Sequence, residues 1–268
     1  MSTRVAVVTG AARGIGAATV LALAEQGWAV LAVDVAADDP ALPYPMGTGA
    51  ELSTVVTEAN QRTGSDGDQV RARVADVRDR DAVRSAVQYA EECWGGLDAA
   101  IAVAGVIAGG VPLWELPEDQ ERAVLEVDLG GVLNLAHAAI PALLRRPKPR
   151  SGRFLAVASA AATRGLPMLA AYCTAKAGVA GLIRSLAVEL AGSGVTANAV
   201  SPGSTQTAML AQSARLYGLP DARALGEQQP LGRMLEPAEI AAVLAFLAGP
   251  SSSAMTGAAV PVDGGLAL

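Results

Sequence analysis

The stretch Arg4-Val-Ala-Val-Val-Thr9-Gly10-Ala-Ala-Arg13-Gly14-Ile15-Gly16 decides the predicted fold. Its first half is a short continuous apolar run, which is typical of a parallel strand buried on both faces. Its second half is a glycine-rich turn that opens a helix rich in alanine and leucine. Glycine permits the tight turn and lets backbone N–H groups approach a pyrophosphate at the positive helix end. The spacing G-x-x-x-G-x-G differs from the commonest dinucleotide fingerprint, G-x-G-x-x-G.

The second predicted strand, residues 29–34, ends in an acid about twenty residues after the glycines. A carboxylate at that position accepts hydrogen bonds from the adenosine ribose and repels a 2′-phosphate, so Asp34 predicts NAD in preference to NADP. Arg13 favours the opposite choice, since a guanidinium can meet a phosphate, but arginine tolerates either cofactor. The alternative role for Asp34 is a cap at the end of the strand.

Apolar runs and helical patterns alternate along the rest of the chain, which predicts an α/β fold. Strands are expected at 70–75, 98–103, 153–159, 195–200 and 258–262, and helices from about 50 and at 80–94, 117–144, 172–191 and 237–247. We therefore predict a single domain over residues 1–268, a Rossmann-type doubly wound parallel sheet of about seven strands with helices on both faces.

Two segments depart from this alternation. Residues 38–49 contain three prolines and no helical period, and we call them the insertion loop. Because the insertion loop follows Asp34, we expect it beside the adenine end of the cofactor, either as a lid or as surface decoration. Residues 208–229 are apolar but irregular, and the segment at 204–230 is predicted to form a substrate lid.

Composition excludes several other classes of protein. The 268 residues are 51% hydrophobic and 17% charged, enough for a core covered on both sides. A net charge of −6 argues against a nucleic-acid or anionic-membrane surface. The apolar uncharged stretch at residues 99–114 is too short to span a bilayer. Two cysteines suggest no disulfide framework and the single His137 cannot anchor a histidine-rich metal site, so we expect a cytoplasmic enzyme without a metal.

The predicted chemistry rests on Tyr172 and Lys176, which lie four positions apart and so share one face of a helix. A nearby ammonium favours the phenolate and lowers the phenol pKa toward that of a useful base. Ser159 ends an apolar strand and brings a hydroxyl to the carboxyl edge of the sheet, where ligands bind. An ordinary helix face is the alternative, which the presence of only two lysines in the chain disfavours.

These motifs, taken together, closely resemble those of the classical short-chain dehydrogenase/reductases over essentially the whole chain. The matching motifs are Thr9-Gly10-x-x-x-Gly14-Ile15-Gly16, Asp34, Asp76-Val77, Ala104-Gly105, Ser159, Tyr172-x-x-x-Lys176, Asn198-x-x-x-Pro202-Gly203 and Val262-Asp263-Gly264-Gly265. The resemblance implies that Tyr172 exchanges the substrate proton and that Ser159 hydrogen-bonds the substrate oxygen. It also implies that Lys176 binds the nicotinamide ribose and lowers the tyrosine pKa.

The resemblance also implies the residues that hold NAD. They are Gly10, Arg13, Gly14, Ile15, Asp34, Asp76, Val77, Ala104, Gly105, Tyr172, Lys176, Pro202, Gly203, Thr205 and Thr207. One departure concerns the fourth catalytic position, where the family has asparagine and this chain has Asp128. A carboxylate there accepts hydrogen bonds but cannot donate one unless it is protonated. We keep Asp128 as a candidate catalytic residue.

The insertion loop resembles a segment of the mycofactocin-coupled, carveol-dehydrogenase-like subgroup. That resemblance implies a tightly held NAD that a peptide-derived redox carrier re-oxidises in place. Family resemblance further implies a homotetramer, with the helices at 117–144 and 172–191 forming the main dimer contact.

We therefore expect an NAD-dependent oxidoreductase that interconverts an apolar secondary alcohol and its ketone. Two alternatives remain. A 3-oxoacyl-thioester reductase of the same family would prefer NADPH and present a basic patch for an acidic carrier. A catalytically silent NAD-binding protein is suggested by Asp128. A sugar epimerase of the extended type is disfavoured because no second domain is expected after residue 262.

Overall fold

Seven parallel strands form the sheet of the computed structural model, which describes residues 3–64 and 69–268. The strands are β1 (Val5–Thr9), β2 (Ala29–Asp34), β3 (Val70–Val74), β4 (Ala99–Ala102), β5 (Gly152–Val157), β6 (Val195–Pro202) and β7 (Ala259–Val262). Their spatial order is β3-β2-β1-β4-β5-β6-β7. The order reverses between β1 and β4, which opens a crevice at the carboxyl ends of these two strands. The predicted fold class is confirmed.

The central strands are buried along their whole length, as their apolar runs predict. Every residue of β1, β2, β4 and β5 is buried, whereas the edge strands β3 and β7 alternate with more exposed positions. In the register of the sheet, Val5 pairs with Ala29 and Ala6 with Ala99. The two strands therefore end, at Thr9 and Asp34, at the same edge of the sheet.

Helices cover both faces of the sheet. They are α1 (Gly14–Glu25), α2 (Gly49–Thr63), α3 (Arg80–Trp94), α4 (Glu118–Leu125), α5 (Gly131–Arg145), α6 (Ala170–Glu189), α7 (Ala208–Leu216), α8 (Arg223–Gly226) and α9 (Pro237–Ala248). One hydrophobic core lies between the sheet and α3, α4, α5 and α6, and the other lies between the sheet and α1, α2 and α9. This is the doubly wound arrangement.

Two helical predictions need correction. The predicted helix at 117–144 is interrupted by a π turn, Glu126–Gly130, between α4 and α5. Residues 208–229, predicted to be irregular, contain α7 and α8. The Thr207 side chain caps α7 by accepting from the Leu210 N–H at 3.2 Å, a local signal that the sequence contains.

One helix in the described part of the chain, Glu118–Arg145, is long and apolar enough to cross a bilayer. Half of its most apolar window is buried inside the domain. That burial is typical of a core helix, and α5 packs on α3 and β5.

Candidate active site

A cavity of about 650 Å³ opens at the carboxyl edge of the sheet. It is lined by the predicted residues Gly10, Arg13, Gly14, Ile15, Asp34, Asp76, Val77, Ala104, Gly105, Ser159, Tyr172, Lys176, Pro202, Gly203, Thr205 and Thr207. Of the predicted site residues, Asp128 is the one that lies behind the cavity wall. The topology therefore gathers predicted site residues that are up to 197 positions apart in sequence, from Gly10 to Thr207, around one space.

The glycine-rich turn brings its backbone against the neighbouring strand end. Gly10 and Gly14 have φ angles of +68° and +58°, which a side chain would strain. A Cβ atom on Gly10 would lie 2.6 Å from Ala104 Cα. Because glycine fills this place, the start of α1 and its free N–H groups lie directly on the cavity wall.

The Asp34 carboxylate is fixed at the same wall. Its Oδ2 accepts from the Ala12 N–H at 3.0 Å and its Oδ1 accepts from the Ala36 N–H at 3.1 Å. A Cβ atom on Gly47 would lie 3.2 Å from Asp34 Oδ1, so the insertion loop passes close to the carboxylate. Asp34 thus caps the end of its strand, which was the alternative role predicted for it. Each carboxylate oxygen still has a second lone pair that a ligand could use.

Two further predicted cofactor residues already have protein partners. Arg13 Nη2 donates to the Pro45 carbonyl in the insertion loop at 2.8 Å. Asp76 forms an ion pair with Arg78 at 2.7 Å, and Arg78 also reaches Asp39 at 2.7 Å. These contacts join the ends of β1, β2 and β3 to the insertion loop.

The insertion loop is packed into the protein and is more than surface decoration. Leu42, Tyr44 and Met46 are buried in the core that contains α3 to α6. The Tyr44 hydroxyl accepts from the Ile107 N–H at 2.8 Å, which carries the loop across to the segment after β4. The loop therefore covers the cavity from Asp34 to Ile107, whereas the sequence predicted only that it lies near Asp34.

Tyr172 and Lys176 meet on α6 as their spacing predicts. Lys176 Nζ lies 5.5 Å from the centre of the Tyr172 ring, and Ser159 lines the cavity at the end of β5. The pKa of Tyr172 is raised above its usual value, chiefly by burial. The Lys176 ammonium and a hydrogen bond with Ser159 lower this pKa, whereas the Asp128 carboxylate raises it further. Lys176 therefore lowers the tyrosine pKa as predicted, but burial outweighs the ammonium and the net shift of the pKa is upward.

A buried ion pair lies behind these groups. Asp128 is fully buried, and its Oδ2 lies 3.1 Å from Lys176 Nζ. Its Oδ1 accepts from the Val106 N–H at 2.7 Å, while Lys176 Nζ donates to the Val157 carbonyl at 3.2 Å. Asp128 therefore acts on the cavity through Lys176 and does not itself line it. The π turn places it there, as such turns often do at functional sites.

The other half of the cavity is apolar. The sequence-based reasoning predicted a contribution from the 204–230 segment, and Met209, Leu210, Ser213, Tyr217, Leu219 and Leu225 line this half. It missed the segment between the strand of Ser159 and the helix of Tyr172, which supplies Leu166, Pro167 and Leu169. The Tyr217 hydroxyl donates to the Pro167 carbonyl at 2.9 Å and joins the two segments. The sequence signal that could have identified Leu166, Pro167 and Leu169 as lining residues is their position between Ser159 and Tyr172.

Comparison with known proteins gives consistent matches. Residues 10–267 match a family model described as enoyl-(acyl carrier protein) reductase. The chain is 41% identical over 266 residues to the cis-4-hydroxycyclohexanecarboxylate dehydrogenase of Sinomonas cyclohexanicum, covering 98% of this chain and 96% of the relative. It is 34% identical to the 3-oxoacyl-(acyl-carrier-protein) reductase of Thermotoga maritima, covering 99% of this chain and 98% of the relative.

A solved structure is similar over the same length. The carveol dehydrogenase of Mycobacterium avium, in complex with NAD, superposes with a TM-score of 0.91 at 30% identity. The match covers 99% of this chain and 98% of that one. The similarity therefore extends over the cavity as well as the sheet.

The ion pair generates a prediction for stability. Replacing Asp128 with Ala leaves the Lys176 ammonium buried without its carboxylate, so we expect the free energy of unfolding to fall by about 3 kcal/mol or more. Urea unfolding at neutral pH measures the loss. Glu126→Ala removes an exposed carboxylate from the same π turn and is the control, with an expected change below about 0.5 kcal/mol. Equal effects of the two changes would contradict the role given to the pair.

Proposed function

The chain belongs to the classical short-chain dehydrogenase/reductase family, on its carveol-dehydrogenase-like side, and from this premise we propose that it interconverts an apolar secondary alcohol and its ketone. It is an NAD-dependent oxidoreductase acting on CH–OH groups. The observation that carries the choice of substrate is the apolar half of the cavity, which adjoins Ser159 and Tyr172. Apolar walls with a few placed polar groups are typical of sites for small organic molecules.

The residues present fit NAD. Asp34 offers a carboxylate to ribose hydroxyls and would repel a 2′-phosphate, and the turn from Gly10 to Gly16 exposes backbone N–H groups for a pyrophosphate. A side chain on Gly105 would come within 3.4 Å of both Asp128 and Lys176, so glycine keeps that wall open. When bound, the nicotinamide ring supplies the hydride acceptor or donor.

The protein's own groups handle the proton. In oxidation, Ser159 donates a hydrogen bond to the substrate oxygen while the Tyr172 phenolate accepts the hydroxyl proton, and in reduction the Tyr172 phenol returns it. Lys176 supplies positive charge near the oxygen that becomes negative. Because the pKa of Tyr172 is raised, the phenol form predominates at neutral pH. Reduction is therefore favoured at neutral pH and oxidation as the pH rises.

A 3-oxoacyl-thioester reductase is the second candidate, and the Thermotoga relative named above favours it. Asp34 and the net charge of −6 oppose NADPH and an acidic carrier protein, so we place it second. Assays of alicyclic, terpenoid and aliphatic alcohols and ketones, and of a 3-oxoacyl thioester, with each cofactor distinguish the two. An artificial electron acceptor belongs in every assay in case NAD does not leave.

We also propose that the insertion loop retains NAD between turnovers and that a redox carrier such as mycofactocin re-oxidises it in place. Three contacts that tether the loop to the rest of the protein support this: Asp39 to Arg78, Arg13 to Pro45 and Tyr44 to Ile107. Within the loop, the Met46 N–H donates to Asp38 at 2.8 Å. A loop held at both edges of the cavity must detach before a cofactor beneath it can leave.

Three further proposals concern the setting of the enzyme. The segment at 204–230 acts as the substrate lid of the single domain 1–268. A homotetramer built on the α4–α5 and α6 helices is supported by exposed apolar side chains there, Leu133 and Val188. A cytoplasmic location without a nucleic-acid or membrane partner is supported by the net negative charge.

Tyr172→Phe tests the reaction directly. Removal of the hydroxyl takes away the group that exchanges the proton, so we expect turnover to fall by roughly 10²- to 10⁴-fold. NAD binding, measured by calorimetry, should persist. Tyr89→Phe removes a hydroxyl outside the cavity and is the control. Unchanged turnover in the Tyr172 variant would favour the silent NAD-binding protein.

Asp128→Asn tests the effect of the buried carboxylate on the proton equilibrium. The change removes a negative charge that raises the pKa of Tyr172, so the phenolate should form at lower pH. The acidic limb of the pH profile of kcat/KM for oxidation should then move to lower pH. Glu126→Gln is the control for loss of a carboxylate nearby. An unmoved profile would mean that Asp128 is uncharged in the working enzyme.

Tyr44→Phe tests the insertion loop. It leaves the Ile107 N–H without its partner, a loss worth about 1 kcal/mol, so NAD should dissociate several-fold faster. Stopped-flow displacement of NADH by excess NAD⁺ measures the rate, with Tyr89→Phe as control. A wild-type protein that arrives empty and exchanges cofactor freely would contradict retention.

A further inference from the structure

A second cavity of about 300 Å³ lies at the amino ends of β5 and β6, at the edge of the sheet opposite Tyr172. It is lined by Arg150, Ser151, Arg153, Ala187, Leu190, Ala191, Gly192, Gly194, Val195, Thr196, Ser253 and Thr256. Two arginines and four hydroxyls line it, and none of its lining residues is acidic. In a chain with a net charge of −6 this local excess of positive charge is unusual.

Arg153 is the buried member of this set. It is 2% exposed, and within residues 3–64 and 69–268 no carboxylate pairs with its side chain. Nη1 donates to the Gly152 carbonyl at 3.0 Å and Nη2 to the Gly249 carbonyl at 3.3 Å, while Nε has no partner. Burial and the nearby Arg4 lower the pKa of Arg153, as expected of a cation that lacks an anion.

The groups beside Arg153 are also short of partners. Thr196 pairs with Arg153 across β5 and β6, so the two side chains share one face of the sheet. Its Oγ1 is buried without a hydrogen bond in the described part of the protein. Arg150 uses Nε and Nη1 on the carbonyls of Arg146 and Ser193. In the described part of the protein, the hydrogen bonds of the Arg150 guanidinium therefore go only to backbone oxygens.

The neighbouring acid, Asp98, already has other partners. Asp98, at the amino end of the adjacent strand, pairs with Arg146 at 2.7 Å and accepts from the Val5 N–H at 2.9 Å. The carbonyl of Gly249, after the end of α9, offsets part of the Arg153 charge. That carbonyl leaves Arg153 Nε and Thr196 Oγ1 unsatisfied, and buried polar groups without partners are costly.

We propose that this cavity binds a small oxyanion, of which inorganic phosphate is the probe, between Arg150 and Arg153. An oxyanion supplies the acceptors that guanidinium groups and hydroxyls need, and it balances a buried positive charge. The site is separate from the dehydrogenase cavity and does not depend on the proposed substrate. Its role is to stabilise the amino edge of β5 and β6.

Calorimetric titration with phosphate, at constant ionic strength and with excess NAD to occupy the dinucleotide groove, tests the proposal. We expect saturable binding with one site per chain and a melting temperature that rises with phosphate and then levels off. Arg150→Gln should weaken binding at least about tenfold and leave dehydrogenase turnover unchanged. Acetate in place of phosphate shows whether a carboxylate also occupies the site.

Arg80→Gln, an exposed arginine on α3, removes the same charge outside the cavity and is the control. Arg153→Met should abolish saturable phosphate binding. If that variant does not fold, Thr196→Val, which keeps the shape of the side chain, replaces it and should weaken binding. Absence of saturable binding, or equal weakening by Arg150→Gln and Arg80→Gln, would overturn the proposal. Arg153 would then be only a cap for the end of α9.

Discussion

The buried charge of Lys176 is the constraint on which the active site depends. An ammonium that is 3% exposed needs compensation, and it finds Asp128 at 3.1 Å and the Val157 carbonyl at 3.2 Å. Lys176 belongs to α6 and its two partners belong to the π turn and β5, so one charge fixes three elements relative to each other. Asp128 also holds the Val106 N–H, which sets the course of the chain after β4. Because Tyr172 lies one turn from Lys176 on α6, this network also fixes the position of the phenol.

The parts of the fold and site that the sequence predicts are those fixed by local chemistry. Apolar runs predict β1, β2, β4 and β5 because both faces of each strand are covered. Gly10 and Gly14 adopt positive φ angles, which few other residues would tolerate. Tyr172 and Lys176 meet because helical geometry alone brings them together. Asp34 lies at the crevice because every parallel strand ends at the same edge.

The parts that the sequence did not predict depend on distant contacts. The sequence predicts one helix over residues 117–144. The π turn that interrupts it contains Asp128, whose contact with Lys176 on a different helix is not visible in the local sequence. Tyr44 shows no periodic pattern, and its place is set by a hydrogen bond to Ile107, 63 positions away. The pKa of Tyr172 was expected to fall because only its charged neighbour is visible in sequence, whereas the burial that raises it comes from the whole fold.

The exchange of asparagine for Asp128 changes the charge of the site more than its shape. An asparagine would leave Lys176 as an uncompensated cation beside the phenol, whereas Asp128 makes the pair neutral overall and raises the pKa of Tyr172. A neutral pair stabilises the phenolate less, so more of Tyr172 carries the proton that reduction of a ketone uses, and less of it is the phenolate that oxidation of an alcohol uses. A cofactor held in place and re-oxidised by a carrier would offset this bias, because its continual removal of electrons would draw the reaction toward the ketone. In the proposed function, the buried carboxylate therefore acts on the proton equilibrium and the tethered insertion loop acts on the hydride equilibrium.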